Sequence, residues 1–243
     1  MNFVYTSAGD RTEFYKNWIS STKTFDLYVT YYGDSDTNYE LYKSHVTYID
    51  RHKGSKFQNF YRFYTKHQDI LEKYDRFFIL DDDILFSCED INKMFEISRK
   101  YDLEICQPSF SRGSLVSHPV TRHKKNVLLQ YTNFVEVNTP LFTRESLDKL
   151  TKWFHPDLIG WGIDYLYIWA NGINKKKSYA VIHCVQCINP KLEKGATREL
   201  YLIKDAKKRR QIWEAYAKTI ACPLKIKIVE YEKIDEELLS EAR

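Results

Sequence analysis

The sequence predicts an α/β domain with a mainly parallel central sheet flanked by helices, and three observations carry that expectation. Short β-rich runs alternate with amphipathic helical segments through the whole first half of the chain. Three of those runs end in polar residues: Thr6-Ser7, Gly33-Asp34 and Asp81-Asp82-Asp83. Ligands of open α/β sheets bind outside the carboxyl ends of the strands, so these ends are expected to meet at one site.

Taken in order, residues 2–5 read as a strand and 11–22 as a helix with Phe14, Trp18 and Ile19 at helical spacing. Residues 26–32 (DLYVTYY) are β-rich and stop at Gly33-Asp34, a turn signal; 45–49 is a further short strand. A helix over 57–72 leads to a fully buried strand over 76–80. A second helix follows over 90–100, with Ile91, Met94, Phe95 and Ile97 on one side, and then a strand over 103–106. The second half is less regular. Residues 127–136 have strand character, 144–153 is helical, and Gly160-Trp161-Gly162 breaks the chain before a helix over 163–170. A strand over 179–183, a long helix over 197–218, a strand-like KIKIVEY and an acidic helical stretch complete the chain.

Composition bounds the function. With 243 residues, 43% hydrophobic and 29% charged, the chain is of ordinary globular type and can bury a substantial core. Its 19 Tyr and 14 Phe supply rings for stacking on sugars or bases, although most are expected in the core or half-buried. A net charge of +4 is too small to indicate nucleic acid, and no such partner is expected. The runs Lys175-Lys176-Lys177 and Lys207-Lys208-Arg209-Arg210 read as solvated surface, the second also as a face for an anionic acceptor or peripheral membrane contact. Cys88, Cys106, Cys184, Cys187 and Cys222 are an odd set without small-scaffold spacing, so reduced thiols and a cytoplasmic location are expected. Cys184 and Cys187 lack the second pair that zinc needs and read as half-buried thiols. Neither a signal peptide nor an apolar run of about 18 residues is apparent, so no transmembrane segment is expected.

The stretch FFILDDDILFS, residues 77–87, carries the chemistry. Burying like charges without a counter-charge costs several kcal/mol per ion, so the trio either turns in water or holds a cation. In an extended chain Asp81 and Asp83 share a face, a hard-oxygen pair suited to Mg²⁺ or Mn²⁺ beside a diphosphate. His183, after the strand-like YAVI, is either a third ligand or a buried, hydrogen-bonded side chain. Glu136, in an apolar FVEV, either faces a cleft or pairs with a buried Arg.

The segments KGSKFQNFYRFY, YDRFFILDDDI, LEICQPSFS, TNFVEVNTPLFTRESL and LIGWGIDY occur in that order. This succession resembles the GT-A glycosyltransferases, whose fold is Rossmann-like, from about residue 29 to 187. The resemblance implies one domain over 1–243: a nucleotide-binding half over about 1–110, an acceptor-side half over about 111–222, and a tail over 223–243. It implies a nucleotide-sugar donor, with UDP expected, a glycan or glycoconjugate acceptor, and a Mn²⁺ or Mg²⁺ cofactor. Asp81, Asp82 and Asp83 look like the DxD motif, with Asp83 on the metal and Asp81 on the ribose or a metal-bound water. His183 occupies the place of a late metal ligand. Thr6, Ser7 and Asp34 would line the nucleotide pocket, and Lys56 would reach the donor. GWGID resembles the segment that supplies an inverting enzyme's base, which makes Asp164 the catalytic candidate; its competing role is a helix cap. Trp161 is a sugar platform or a core anchor. Gln107, Ser109, His118 and Glu136 are candidates for sugar hydroxyls. Two other readings stay open: a carbohydrate-binding module with a structural metal, and a nucleotidyl- or phosphotransferase, although the chain has no Gly-rich phosphate loop.

Overall fold

The computed structural model describes residues 1–12, 14–191 and 199–236. The strands are β1 (Asn2–Ala8), β2 (Phe25–Tyr31), β3 (Tyr48–Arg51), β4 (Arg76–Asp81), β5 (Ile105–Phe110), β6 (Val127–Thr132), β7 (Leu141–Thr143), β8 (Tyr179–Cys187) and β9 (Glu230–Asp235). The helices are α1 (Phe14–Asn17), α2 (Asp36–Lys43), α3 (Lys56–Lys66), α4 (Gln68–Leu71), α5 (Cys88–Lys100), α6 (Arg144–Trp153), α7 (Ile163–Asn171) and α8 (Arg209–Thr219).

One nine-stranded sheet has the order β3-β2-β1-β4-β7-β5-β8-β6-β9. Strands β3, β2, β1 and β4 are mutually parallel. Beyond them the pairing is mixed, because β7 opposes β4 and β5, and β6 opposes β8 and β9. Since β5 and β8 are parallel, only β6 and β7 run against the rest among the described strands. The expected parallel character therefore holds, strictly in the first half. The chain moves outward from β1 to β3 and then returns to β4 on the other side of β1, which creates a switch point where the carboxyl ends open a crevice.

Helices cover both faces of the sheet. Strand β4 shows why FFIL is an unbroken apolar run: Phe78 and Leu80 pack with Met94 and Phe95 of α5, and Phe77 and Ile79 pack with Phe60 and Phe63 of α3 on the opposite face. Each such side chain contributes about 1.5–3 kcal/mol when fully buried.

Several elements differ from the sequence reading. Residues 11–22 give only the one-turn α1. The Trp18 indole N–H is held by the Ile84 carbonyl at 3.0 Å, and Ser20, Thr22 and Thr24 bond to Glu89 and Asn92 instead of to a helix backbone. The helix expected over 57–72 breaks at His67, whose φ of −128° and ψ of 44° are non-helical. Its ring packs on Phe63 at 4.7 Å and Tyr48 at 5.4 Å. The chain leaves β6 at Asn133 because that side chain ties to the backbone of Lys227 (3.0 Å) and Val229 (2.7 Å). The long helix expected over 197–218 is two short 3₁₀ turns and then α8, with Asp205 in the left-handed region at φ 62° between them. Residues 197 and 198, and the acidic stretch from 237 onward, lie outside the described residues. Strand β9 joins the sheet edge, so the expected tail is partly built into the domain.

Candidate active site

A cleft of about 1800 Å³ opens at the carboxyl ends of β1 to β4. Ser7, Asp34, Lys56, Asp81, Asp82 and Asp83 line it from the first half of the chain; His118, Glu136, Trp161 and Asp164 line it from the second. Four sequence candidates do not line it. Thr6 is fully buried, its hydroxyl donating to the Leu80 carbonyl at 2.9 Å. Ser109 is equally buried and donates to the Val185 carbonyl at 3.2 Å. Gln107 is buried too, and reaches the site only indirectly, by accepting the Glu136 backbone N–H. His183 is fully buried beside His123, and its Nδ1 accepts the Lys124 N–H at 3.2 Å. Burial, then Lys124 and His123, push its pKa down to about 3, so it is neutral. An irregularity between Pro108 and Ser109 separates their partners Ile182 and Gln186 on β8, and His183 lies in that extra length.

The carboxylate trio is resolved differently from the extended-chain argument. Strand β4 ends at Asp81, and the Ile84 N–H bonds back to the Asp81 carbonyl at 3.3 Å, so Asp82 and Asp83 occupy a turn. Asp81 already has a cation: the Lys56 ammonium lies 2.7 Å away, with the lysine side chain 9% exposed. That ammonium also donates to the carbonyls of Val137 (2.8 Å), Asn138 (2.9 Å) and Ile79 (3.3 Å). Four acceptors saturate its donors, so in this structure Lys56 acts as the counter-ion of Asp81 at the cleft wall. Burial lowers its pKa, and Asp81 opposes that shift.

Asp82 turns inward and accepts the Gly9 N–H at 2.9 Å, while the Thr12 hydroxyl donates to its carbonyl at 2.8 Å. Burial, then the neighbouring Asp83, push its carboxyl up to about 8. A Cβ at Gly9 would sit 2.6 Å from the Tyr32 hydroxyl and 2.3 Å from Glu199, so those side-chain ends would have to shift to admit one. These carboxylates are hard oxygen donors of the kind Mg²⁺ and Mn²⁺ take. Among the described residues, no three His, Cys, Asp or Glu side chains are placed to hold an ion by themselves.

On the second wall, Asp164 is 7% exposed and stands in the first turn of α7, its Oδ1 accepting the Tyr165 N–H at 3.0 Å. The helix starts at Ile163 with Gly162 as its N-cap, so Asp164 is not the cap: it is a first-turn acceptor that also lines the cleft. Burial still pushes its carboxyl up to about 7. Glu136, 3% exposed, is also pushed up to about 7, chiefly by burial and further by Asp164. Trp161 is 40% exposed with the Arg210 guanidinium over its ring at 5.9 Å, so it is a surface side chain and not a core anchor. The loop that presents it depends on Gly162, at φ 80° with Trp213 behind it: a Cβ would lie 2.2 Å from the indole. Gly162→Ala is expected to lower stability by roughly 2 kcal/mol or more, through left-handed strain and overpacking, with the loss read as a drop in Tm.

Some site residues were missed in the sequence. Asn59 is fully buried on α3; its amide N donates to Ser7 Oγ at 2.6 Å and its Oδ1 pairs with His52 Nδ1 at 2.8 Å. A polar residue amid Phe57, Phe60 and Phe63 was the available signal. The Tyr32 hydroxyl donates to Glu199 at 2.6 Å across 167 positions, and nothing local announces that pair. Asp34 lines the cleft as an exposed residue paired with Lys53 at 2.8 Å.

The mixed α/β fold with its large central sheet is similar to that of S. aureus TarS. The crystal structure of TarS 1-349 superposes with a TM-score of 0.54 at 10% identity, covering 90% of this chain and 65% of that one. TarS 1-349 in complex with UDP-GlcNAc gives 0.54 at 11% identity (90% and 66% covered), and in complex with UDP 0.53 at 10% (90% and 65%). The chain thus spans just under two thirds of the length of these structures. It belongs to the family described as "Protein of unknown function (DUF707)", whose model matches residues 17–218. No curated protein matches it.

Proposed function

We propose that the protein is a glycosyltransferase moving a sugar from a nucleoside-diphosphate donor, taken to be a UDP-sugar, to a hydroxyl of a glycan or glycoconjugate, with Mn²⁺ or Mg²⁺. One observation carries the reading: strand-end carboxylates and two buried carboxylates of raised pKa share one cleft, in a fold like that of a protein crystallised with UDP-GlcNAc and with UDP. Asp83, with Asp82 giving up its proton to the solvent, would hold the ion together with the diphosphate, and a bound divalent ion there offsets charge on the leaving group. Asp81, anchored by Lys56, keeps the turn in place. Trp161 offers the apolar face of its ring to a sugar. Asp164 takes the acceptor proton as the new bond forms, and Glu136 accepts sugar hydroxyls beside it. A single displacement assisted by one base inverts the anomeric centre.

The test is turnover across a panel of nucleotide sugars, each with and without Mn²⁺. Metal-dependent release of sugar from one donor supports the reading, and silence with every donor sinks it. Asp83→Ala is expected to weaken metal-dependent UDP binding by more than about 100-fold, beyond the usual effect of an outer-shell partner. Calorimetry that finds the same UDP affinity with and without Mn²⁺ in both proteins removes the metal from the account.

A further inference from the structure

We propose that the cleft mouth docks on an anionic lipid bilayer, through an apolar tip at residues 201–202 set in a basic collar at residues 204–210. Leu202 is 83% exposed at the end of a one-turn 3₁₀ helix, Glu199–Leu202, and Tyr201 beside it is also exposed. A lone exposed leucine needs no explanation; its neighbours give this one meaning. Arg209 lies over the Tyr201 ring at 5.2 Å, and Arg210 over the exposed Trp161 ring at 5.9 Å, so aromatic and cationic groups interleave. The run KDAKKRR carries five basic residues and one acidic residue, a net +4 that equals the formal charge of the whole chain. Asp205 lies 3.7 Å from Lys208, and Glu214 2.7 Å from Arg210. Lys204 and Lys207 are exposed and make no ion pair among the described residues.

A dissolved anionic polymer would account for the lysines and arginines but not for the open leucine. A bilayer accounts for both: its acyl boundary takes the tip, and headgroup phosphates take the collar. No described helix is long and apolar enough to cross a membrane, so the contact is made from the surface. Leu202, Lys204, Lys208 and Arg209 also line the cleft, so docking turns its mouth toward the lipid. The further step, that the acceptor is anchored in that lipid, rests on the glycosyl-transfer reading; the docking itself does not.

Co-sedimentation of the full chain with phosphatidylglycerol–phosphatidylcholine vesicles, and with pure phosphatidylcholine vesicles, tests this. Binding is expected only to the anionic vesicles, and is lost at high salt. Lys204→Gln and Lys207→Gln each lower the partition coefficient about fivefold, and Leu202→Ser lowers it about tenfold. All three sites are exposed, so Tm stays at the wild-type value. Equal binding to neutral vesicles overturns the proposal, as does anionic binding indifferent to the three substitutions. A dimer by light scattering that Leu202→Ser dissociates also overturns it, assigning the tip to a second copy. Turnover with a soluble acceptor is measured separately, so vesicle binding without transfer sinks only the transfer reading, and transfer without vesicle binding sinks only the docking.

Discussion

Asp164→Asn is expected to lower turnover about 10²–10⁴-fold, the usual contribution of a general base, while donor affinity is retained. Asn keeps a carbonyl oxygen for the Tyr165 N–H, so the start of α7 survives and only the proton acceptor is lost. In the unaltered protein the rate should climb as pH rises through about 7, where the buried Asp164 carboxyl ionises, and then level off. Glu136, also pushed up to about 7, ionises in the same range, so the limb reports the pair. Asp164→Asn should flatten that limb.

The same substitution has a thermodynamic signature of opposite sign. Asp164 is raised from 3.8 to about 7 on folding, so the native state binds the proton more tightly than the unfolded chain does. Between these values stability therefore falls as pH rises, and above about 7 the buried charge exacts its full cost. Removing the charge is expected to stabilise the protein at pH 8 by on the order of 2–4 kcal/mol, with a higher Tm. Near pH 3 the difference should vanish. A variant with wild-type turnover would remove Asp164 from the base role; one with wild-type Tm at pH 8 would show that its carboxylate is solvated.

Lys56→Met is expected to cost about 3–5 kcal/mol, a fall in Tm on the order of 10 °C. It strands the Asp81 carboxylate and removes the side-chain donor shared by the Val137 and Asn138 carbonyls. Donor binding should fall with it, because the pair anchors the turn carrying Asp82 and Asp83. Lys56→Arg should not rescue: a planar fork cannot place one point charge among four acceptors already spaced for an ammonium. In the double variant Lys56→Met with Asp81→Asn, the loss should be smaller than the sum of the single losses, because no unpaired charge remains. Strict additivity, or a Lys56→Met protein that melts at the wild-type temperature, would show that the ion pair does not support the strand end.

The question raised by three adjacent carboxylates thus has a divided answer. Asp81 is compensated from within the chain, and Asp82 is folded back against Gly9, with its charge suppressed by burial and by Asp83. That division was invisible locally, since Lys56 precedes Asp81 by 25 positions and nothing between them fixes their distance. Thr6 and Ser7 show the same limit on a smaller scale. They are adjacent, and both are polar at a strand end, yet one hydroxyl is spent inside the sheet on Leu80, while Ser7 lines the cleft with its hydroxyl held from behind by the buried Asn59.

What the sequence determined by itself is what short-range physics controls. The apolar run of β4 and its polar end, the α6 span Arg144–Trp153 and the glycine break ahead of α7 were all legible, because periodicity, turn chemistry and burial of alternate side chains act over a few residues. Only the tertiary structure decided that β7 inserts antiparallel between β4 and β5, that His183 is stranded in an irregular stretch of β8, and that Glu199 comes to rest on Tyr32. Those outcomes depend on contacts between distant segments, whose energies exceed local preference and leave no trace in the neighbouring letters.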